Sequence, residues 1–145
     1  MAEIKIEVLP GCEEMFPVKA HEDDAAYDLR SREDKVLIPG KSTLVAAGFK
    51  MELPLGYEAQ IRPRSGLALK HSLMLTNSPG TIDAGYRGEV GVTMYNAGEE
   101  DFAISRGDRI AQMVIAKLPE VELIKVKELS GSDRGAGGFG STGRK

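Results

Sequence analysis

The chain has 145 residues, of which 41% are hydrophobic and 28% are charged, and its formal net charge at pH 7 is −3. That length and composition indicate a single domain with a sizeable hydrophobic core. The negative charge disfavours a general nucleic-acid-binding protein, which requires a basic surface. Cys12 is the only cysteine, so no internal disulfide is possible and a reducing compartment, the cytoplasm, is expected. The sequence predicts neither a signal peptide nor a membrane span.

Short apolar segments separated by Gly and Pro run along the chain and predict β-strands. Ile4, Ile6 and Val8 alternate with charged residues, as in a half-buried strand. Closely spaced short strands favour a β-sandwich or barrel over alternating strand–helix units. The further predicted strands are 36–38, 42–53, 57–61, 73–76, 89–96, 102–104, 110–116 and 121–126.

The only segment suited to a helix follows Ser65, a suitable N-cap, because residues 67–70 are good helix formers. Segments 73–76 and 89–96 flank a glycine-bearing stretch and are predicted to pair as a long hairpin. The chain becomes glycine-rich after about residue 130. We therefore predict an all-β core domain at 1–130 and a flexible arm at 131–145.

The most unusual polar stretch is TNSPGTIDAGYRGEV, at 76–90. It places Asp83 among glycines, which let a ligand approach the backbone closely. Alternation along a strand predicts that the Asp83 carboxylate and Ile82 point to opposite faces. An aspartate near glycine also commonly hydrogen-bonds its own backbone in a turn, and this stretch alone leaves both interpretations open.

A second polar stretch, RPRSGLA at 62–68, has two arginines and a serine where a strand ends and the helix begins. Free N–H groups and a guanidinium fork there suit phosphate, although a solvated turn is the alternative. Gln112 lies within an apolar strand at 110–115. Its amide requires a polar partner, which is either a ligand or a neighbouring backbone group.

Metal chemistry has one weak candidate, the stretch DDAAYDLRS at 23–31. Its three aspartates suit Mg²⁺, which prefers oxygen ligands, but a run of acids in a loop is also often simply solvated. His21 and His71 are far apart and Cys12 stands alone. This spacing predicts no zinc site, and nothing marks a base that would activate the thiol.

The C-terminal stretch RGAGGFGSTG, at 134–143, has the glycine spacing of a phosphate-binding P-loop. It lacks the P-loop lysine and the helix that must follow, so a P-loop is excluded. Arg134, Phe139, Ser141 and Thr142 nonetheless offer a cation, a ring and two hydroxyls on a flexible segment. These groups suit a phosphate chain and a base, while a terminus without a role is the alternative.

Taken in order, five stretches resemble the five sequence motifs of trimeric dUTPases, the dUTP diphosphatases. They are DAAYDLRS, RPRSGLA, GTIDAGYRGEV, RGDRIAQMVI and RGAGGFGSTG, and they extend from residue 24 to residue 143. The first departs slightly, since Ala26 stands where many members have Gly. The resemblance implies a jelly-roll-like β-clip or barrel fold, a homotrimer, and three active sites that are each built from all three chains.

The resemblance also implies a reaction and its residues. Asp83 matches the acid that activates water for attack on the α-phosphorus of dUTP, which gives dUMP and pyrophosphate, keeps uracil out of DNA and supplies dUMP for thymidylate synthesis. Asp28 matches the aspartate that reaches Mg²⁺ through water. The positions that match substrate-binding residues of the family are Arg64, Ser65, Gly66, Asn77, Gly80, Ile82, Tyr86, Gln112, Arg134, Phe139, Gly140, Ser141 and Thr142.

The resemblance also implies specificity for dUTP. A missing methyl contact is worth only ~1–3 kcal/mol, so rejecting thymine requires a clash with a rigid wall, which a tight hairpin provides. Asn77 and backbone groups of that hairpin match the family's reader of the uracil edge. Tyr86 matches the tyrosine that packs under the deoxyribose and excludes a 2′-hydroxyl. Phe139 matches the aromatic ring that stacks over uracil.

Two rival functions remain. A dCTP deaminase shares the fold, but it requires a proton-shuttling glutamate near the base, and no glutamate occurs between Glu58 and Glu89. A catalytically silent nucleotide sensor or structural jelly-roll protein is the second rival. Asp83 argues against the silent version, and the structural version leaves the five polar motifs unexplained.

Overall fold

The structure, a computed structural model, describes all residues from Met1 to Lys145. It contains eleven strands, a 3₁₀ turn at Glu13–Met15 and one α-helix, α1, at Ser65–His71. The all-β class with one short helix is therefore confirmed. The strands are β1 Lys5–Val8, β2 Tyr27–Arg30, β3 Lys35–Leu37, β4 Ser42–Ala46, β5 Phe49–Glu52, β6 Tyr57–Arg62, β7 Leu73–Leu75, β8 Gly80–Ile82, β9 Gly91–Asn96, β10 Phe102–Ile104 and β11 Arg109–Lys117.

The strands form four antiparallel sheets that pack around one core. The largest has the order β2-β11-β6-β8, a second has the order β4-β9-β7, and β1-β5 and β10-β3 form two-stranded pairs. Inter-strand hydrogen bonds do not close these sheets into a single barrel. The core between them is a cluster of 19 buried apolar residues. Each large side chain there, such as Phe49 or Leu29, contributes about 1.5–3 kcal/mol when it is buried.

The predicted hairpin is confirmed, since β7 pairs antiparallel with β9 and places Met74 opposite Tyr95. The predicted strand at 42–53 is instead two strands, β4 and β5. Gly48 separates them with a φ of +79°, and a Cβ there would lie 2.9 Å from Cγ of Met15. Only glycine fits that conformation and that space without strain, so the strand breaks at this residue.

The prediction of a strand at 121–126 is wrong for the single chain, since no residue beyond Lys117 belongs to a strand. The apolar side chains of the segment are exposed, Leu123 to 95%. A strand needs partners for its backbone hydrogen bonds, and the chain offers this segment none. Ser65 also differs from its prediction, because it is the first residue of α1, and Arg64 occupies the N-cap position without a side-chain cap bond.

From Leu118 onward the chain leaves the folded body. The N–H of Leu118 donates to the carbonyl of Gly56 at 2.8 Å. All later hydrogen bonds are local, such as that from Nε of Arg134 to the carbonyl of Gly137 at 2.6 Å. The boundary at residue 131 between core and arm stays a prediction. The only α-helix has seven residues and is too short to cross a membrane.

Candidate active site

The largest sheet brings three of the polar stretches together. Gln112 on β11 is paired with Asp28 on β2 and, on its other side, with Arg62 on β6. Residues directly opposite each other in antiparallel strands share a face of the sheet. Stretches that are far apart in sequence therefore meet in one row across three strands.

An open cavity of about 280 Å³ lies beside this row. Five of the predicted site residues line it together: Asp28, Arg64, Ser65, Gly66 and Gln112. The remaining lining residues are Ala20, Asp24, Ala25, Ala26 and Arg109. We call this space the arginine cavity.

Two cations face a single carboxylate in the arginine cavity. Nη1 of Arg109 lies 3.4 Å from Oδ2 of Asp28, and Nε of Arg64 lies 3.8 Å from Oδ1. The Asp28 side chain is only 17% exposed, whereas both arginines are more open to solvent. These separations are long for ion pairs, so both guanidinium groups remain available to an anionic ligand. Asp24 and Asp28 balance the two arginines in formal charge, so it is the paired N–H donors of the guanidinium groups that suit a polyphosphate.

Arg109 is a site residue that the sequence analysis did not select. In a regular strand, residues 109 and 112 would face opposite sides because their separation is odd. The pairing of β11 with β2 is irregular between Arg109 and Ala111. Such a bulge re-aims a side chain, and it places Arg109 in the same cavity as Gln112. The sequence did carry a signal for it, because Arg109 lies within the motif RGDRIAQMVI.

Gln112 finds its polar partner within the chain. Its Nε2 donates to the carbonyl of Pro63 at 2.9 Å. Of the two alternatives left open by the sequence, the neighbouring backbone is thus the one observed. The bond ties β11 to the segment that carries Arg64 and Ser65, and so fixes one wall of the arginine cavity.

The polar stretch at 76–90, which connects β7 to β9 and contains β8, packs tightly against β6. Gly80 is paired with Ile61 and Ile82 with Ala59, and both Gly80 and Ile82 are buried. A Cβ at Gly80 would lie 3.3 Å from Nδ2 of Asn77. Glycine therefore lets the exposed Asn77 side chain fold against the hairpin.

Asp83 follows β8 directly and is exposed while Ile82 is buried, as strand alternation predicts. The turn at this point is closed by main-chain atoms, since the N–H of Tyr86 donates to the carbonyl of Asp83 at 3.1 Å. The Asp83 carboxylate takes part in no hydrogen bond within the chain, so it is not the self-bonded turn aspartate of the alternative interpretation. It opens into a second cavity of about 170 Å³, lined by Thr81, Ile82, Asp83, Tyr86, Val90 and Gly91.

The predicted site residues thus lie in separate places within one chain, namely two cavities, the C-terminal arm, and the positions of Asn77 and Gly80, which line neither cavity. The second cavity, which we call the Asp83 cavity, shares no lining residue with the arginine cavity. The predicted residues of the C-terminal arm line neither cavity, and Phe139 is fully exposed with a φ of +51°. The arm residues in question are Arg134, Phe139, Gly140, Ser141 and Thr142.

No group of three or more His, Cys, Asp or Glu side chains converges as a metal site. The carboxylates that line the arginine cavity are those of Asp28 and Asp24, and Asp24 already accepts a hydrogen bond from the N–H of His21. Such a set fits Mg²⁺, which keeps several waters and binds through one or two carboxylates plus substrate phosphates. It does not fit zinc, which requires several nitrogen or sulfur ligands.

Comparison with known proteins defines the class to which this β fold and these polar cavities belong. Residues 13–143 match the family model described as dUTPase. The chain is 56% identical over 138 residues to deoxyuridine 5′-triphosphate nucleotidohydrolase of Clostridium acetobutylicum, covering 95% of this chain and 90% of that protein. It is 55% identical to the enzyme of the same name from Clostridium tetani, covering 89% of each. The chain belongs to the dUTPase family.

Solved structures agree with the sequence comparison. The dUTPase of Staphylococcus bacteriophage 80alpha with dUPNHPP is similar with a TM-score of 0.87 and 30% identity, covering 98% of this chain and 99% of that one. A mutant dUTPase of S. aureus phage phi11, solved with a structural Mg(II) ion, has a TM-score of 0.79 and 27% identity and covers 87% and 97% of the two chains. The predicted jelly-roll-like, all-β fold is confirmed by this agreement.

Proposed function

We propose that the chain is a dUTP diphosphatase that hydrolyses dUTP to dUMP and pyrophosphate. The observation that carries this proposal is the 56% identity to a deoxyuridine 5′-triphosphate nucleotidohydrolase over 95% of the chain. The geometry supports it, because one cavity presents two arginine side chains and a separate exposed carboxylate lies in another, and nucleotide hydrolysis uses both phosphate-binding donors and a base.

The triphosphate binds in the arginine cavity. Arg64 and Arg109 converge there within 4 Å of the Asp28 carboxylate, and guanidinium groups grip phosphate oxygens through paired N–H donors. Ser65 and Gln112 line the same space and add neutral hydrogen-bonding groups. Asp28 is the residue that would hold Mg²⁺ through water, and the chemistry supplied by that ion is neutralisation of charge on the phosphate oxygens.

Asp83 is the general base. Its carboxylate is exposed and has no partner within the chain, so it is free to accept a proton from water. The resulting hydroxide attacks the α-phosphorus, the bond from that phosphorus to the bridging oxygen breaks, and pyrophosphate leaves. A carboxylate is a weak base, so holding the water in line contributes as much as proton transfer.

The hairpin around Asn77 to Tyr86 recognises the base and the sugar. Asn77 lies against Gly80 at the rim of a buried pair of strands, which gives a rigid wall against the methyl of thymine. Uracil and cytosine have reversed donor and acceptor patterns at two positions of the base edge, so fixed backbone groups and Asn77 distinguish them. The half-exposed Tyr86 ring lines the Asp83 cavity and packs under the deoxyribose.

A complete site requires more than one copy of the chain, and we propose a homotrimer with shared sites. Within one chain the arginine cavity and the Asp83 cavity are separate. The segment after β11 also exposes several large apolar side chains that a neighbouring copy would cover, namely Val121, Leu123, Ile124, Val126 and Leu129. Strand formation at 121–126 then depends on assembly.

The C-terminal arm closes the completed site. Arg134 contributes a cation, Ser141 and Thr142 contribute hydroxyls, Gly140 permits a close approach, and Phe139 stacks over the uracil. Closure excludes water other than the attacking molecule. The expected role is to keep uracil out of DNA and to supply dUMP, in the cytoplasm.

Hydrolysis in H₂¹⁸O tests the proposed reaction. Attack at the α-phosphorus places the label in dUMP and leaves pyrophosphate unlabelled, whereas attack at the β-phosphorus labels pyrophosphate. Mass spectrometry of the two products distinguishes these outcomes. A parallel reaction with dCTP should give no uracil nucleotide, and release of dUMP from dCTP would favour the deaminase instead.

A further inference from the structure

The loop after Asp83 is held from behind by an ion pair outside both cavities. Nε of Arg32 donates to Oε1 of Glu89 at 2.5 Å, and its Nη2 donates to Oε2 at 3.2 Å. The N–H of Gly48 also donates to Oε1 of Glu89, at 3.2 Å. Both side chains of the pair are partly shielded from solvent. A two-pronged bond of this kind fixes orientation as well as distance.

Glu89 is in turn the partner of Tyr86. The Tyr86 hydroxyl donates to the Glu89 carbonyl at 3.0 Å. The ring lies so close to Gly88 that any side chain at that position would collide with it. The position of the Tyr86 ring is therefore determined by the backbone at 88–89.

Arg32 is itself anchored on two sides. Its N–H donates to the carbonyl of Ala46 at 3.0 Å, and its carbonyl accepts a hydrogen bond from Nη1 of Arg106 at 2.6 Å. The neighbouring N–H of Val90 donates to the carbonyl of Phe49 at 2.8 Å. The end of the loop is thus bonded to the β4–β5 junction through both its backbone and its side chain.

We propose that Arg32 and Glu89 are positioning residues that hold the Tyr86 ring and thereby set the discrimination between deoxyribonucleotides and ribonucleotides. The inference rests on the proposed function, in which Tyr86 packs under the sugar. A ring rejects an added hydroxyl only when it cannot move aside. The ion pair supplies that rigidity, because a small displacement at Glu89 is transmitted to the Tyr86 hydroxyl through the 3.0 Å hydrogen bond.

The test compares turnover of dUTP and UTP by full-length variants. Arg32→Lys keeps the positive charge but cannot form the two parallel hydrogen bonds to Glu89. Glu89→Gln keeps the shape of the side chain but loses its negative charge. Glu52→Gln is the matched control, since Glu52 pairs with Lys5 at 3.4 Å and both side chains are exposed. We expect the ratio of kcat/KM for dUTP to that for UTP to fall about tenfold in Arg32→Lys and Glu89→Gln, chiefly because UTP turnover rises, while the control keeps the parental ratio.

A double-mutant cycle separates positioning from general support of the fold. Tyr86→Phe removes the hydroxyl that donates to the Glu89 carbonyl, so Arg32→Lys should change the ratio less in a Tyr86→Phe background than in the parent. Folded variants with an unchanged ratio, or equal changes in both backgrounds, would overturn the inference while the proposed function stands. A parent chain that does not hydrolyse dUTP overturns both.

Discussion

The carboxylates of Asp28 and Asp83 open into two different cavities of the same chain. Arg64 and Arg109 accompany the first, and Tyr86 accompanies the second. In the proposed homotrimer, a dUTP molecule that uses both the phosphate-binding arginines and the proposed base contacts more than one copy of the chain. Assembly would then be required for the chemistry and not only for stability.

Mixing two inactive variants tests this requirement. Asp83→Asn lacks the base and Arg64→Ala lacks a phosphate contact, so each alone should be inactive. In randomly mixed oligomers at equal ratio, about one quarter of two-chain sites receive both intact residues, and activity should return to that level. Activity that stays at the sum of the two separate variants would show that each site lies within one chain.

Replacing the proposed base separates catalysis from binding. Asp83→Asn preserves the size of the side chain but cannot accept the proton, so turnover should fall by at least about 10²-fold. Affinity for a non-hydrolysable dUTP analogue, measured by calorimetry, should stay the same. Asp101→Asn is the control, because Asp101 is an exposed acid that lines neither cavity. Full turnover in Asp83→Asn at unchanged affinity would contradict the assignment.

Removal of the arm should affect the reaction and not the assembly. Residues 134–145 make no hydrogen bond to the body of the chain, so deleting them should lower turnover strongly and leave the oligomer intact. A sizing column and a pyrophosphate assay on the same sample measure both effects. Dissociation of the truncated protein would count against a lid.

Phe139 and Leu123 provide a matched pair, because both are almost fully exposed in the single chain and have opposite proposed roles. Phe139→Ala should raise KM or lower turnover without changing Tm, since its ring packs only on bound nucleotide. Leu123→Ala should lower Tm, since a neighbouring copy covers that side chain. The reverse pattern of melting temperatures would contradict these assignments.

Stability should depend on pH through Glu33. The hydrogen bond from Lys35 and, with it, one from the Ala46 N–H lower the pKa of Glu33 below its ordinary value of 4.5. A depressed folded-state pKa stabilises the fold above the unfolded value, and this contribution is lost as pH falls through the folded pKa. Glu33→Gln should therefore unfold at lower urea than the parent at about pH 7, and the difference should shrink at an acid pH well below 4.5. An equal difference at both pH values would contradict this origin.

Features that depend on neighbouring residues were predicted from the sequence, whereas features that depend on contacts between distant residues were not. Alternation located β1 and β6 because the side chains of each strand point in turn to a more buried and a more exposed face. The same kind of pattern at 121–126 did not give a strand, since a pattern states what can pair and not whether a partner is present. The contact of Arg32 with Glu89 spans 57 residues, and no local signal indicates such a pairing.

The site residues show the same contrast between local features, which were predicted, and features that depend on distant contacts, which were not. The five motifs predicted which residues carry polar chemistry, and the arginine cavity gathers those of three motifs. Arg109 was missed because a bulge changes the direction of its side chain. The separation of Asp28 from Asp83 was also not readable from the motifs, because motif order contains no information on how distant strands pack.

The proposed activity and its specificity are measured together by pyrophosphate release from the full-length protein with dUTP, dTTP and UTP at equal concentration and in excess Mg²⁺. We expect rapid release from dUTP and release at least about 10²-fold slower from dTTP and UTP, since each differs by a group that must meet a rigid wall. Comparable release from all three nucleotides, or none from dUTP, would contradict this expectation.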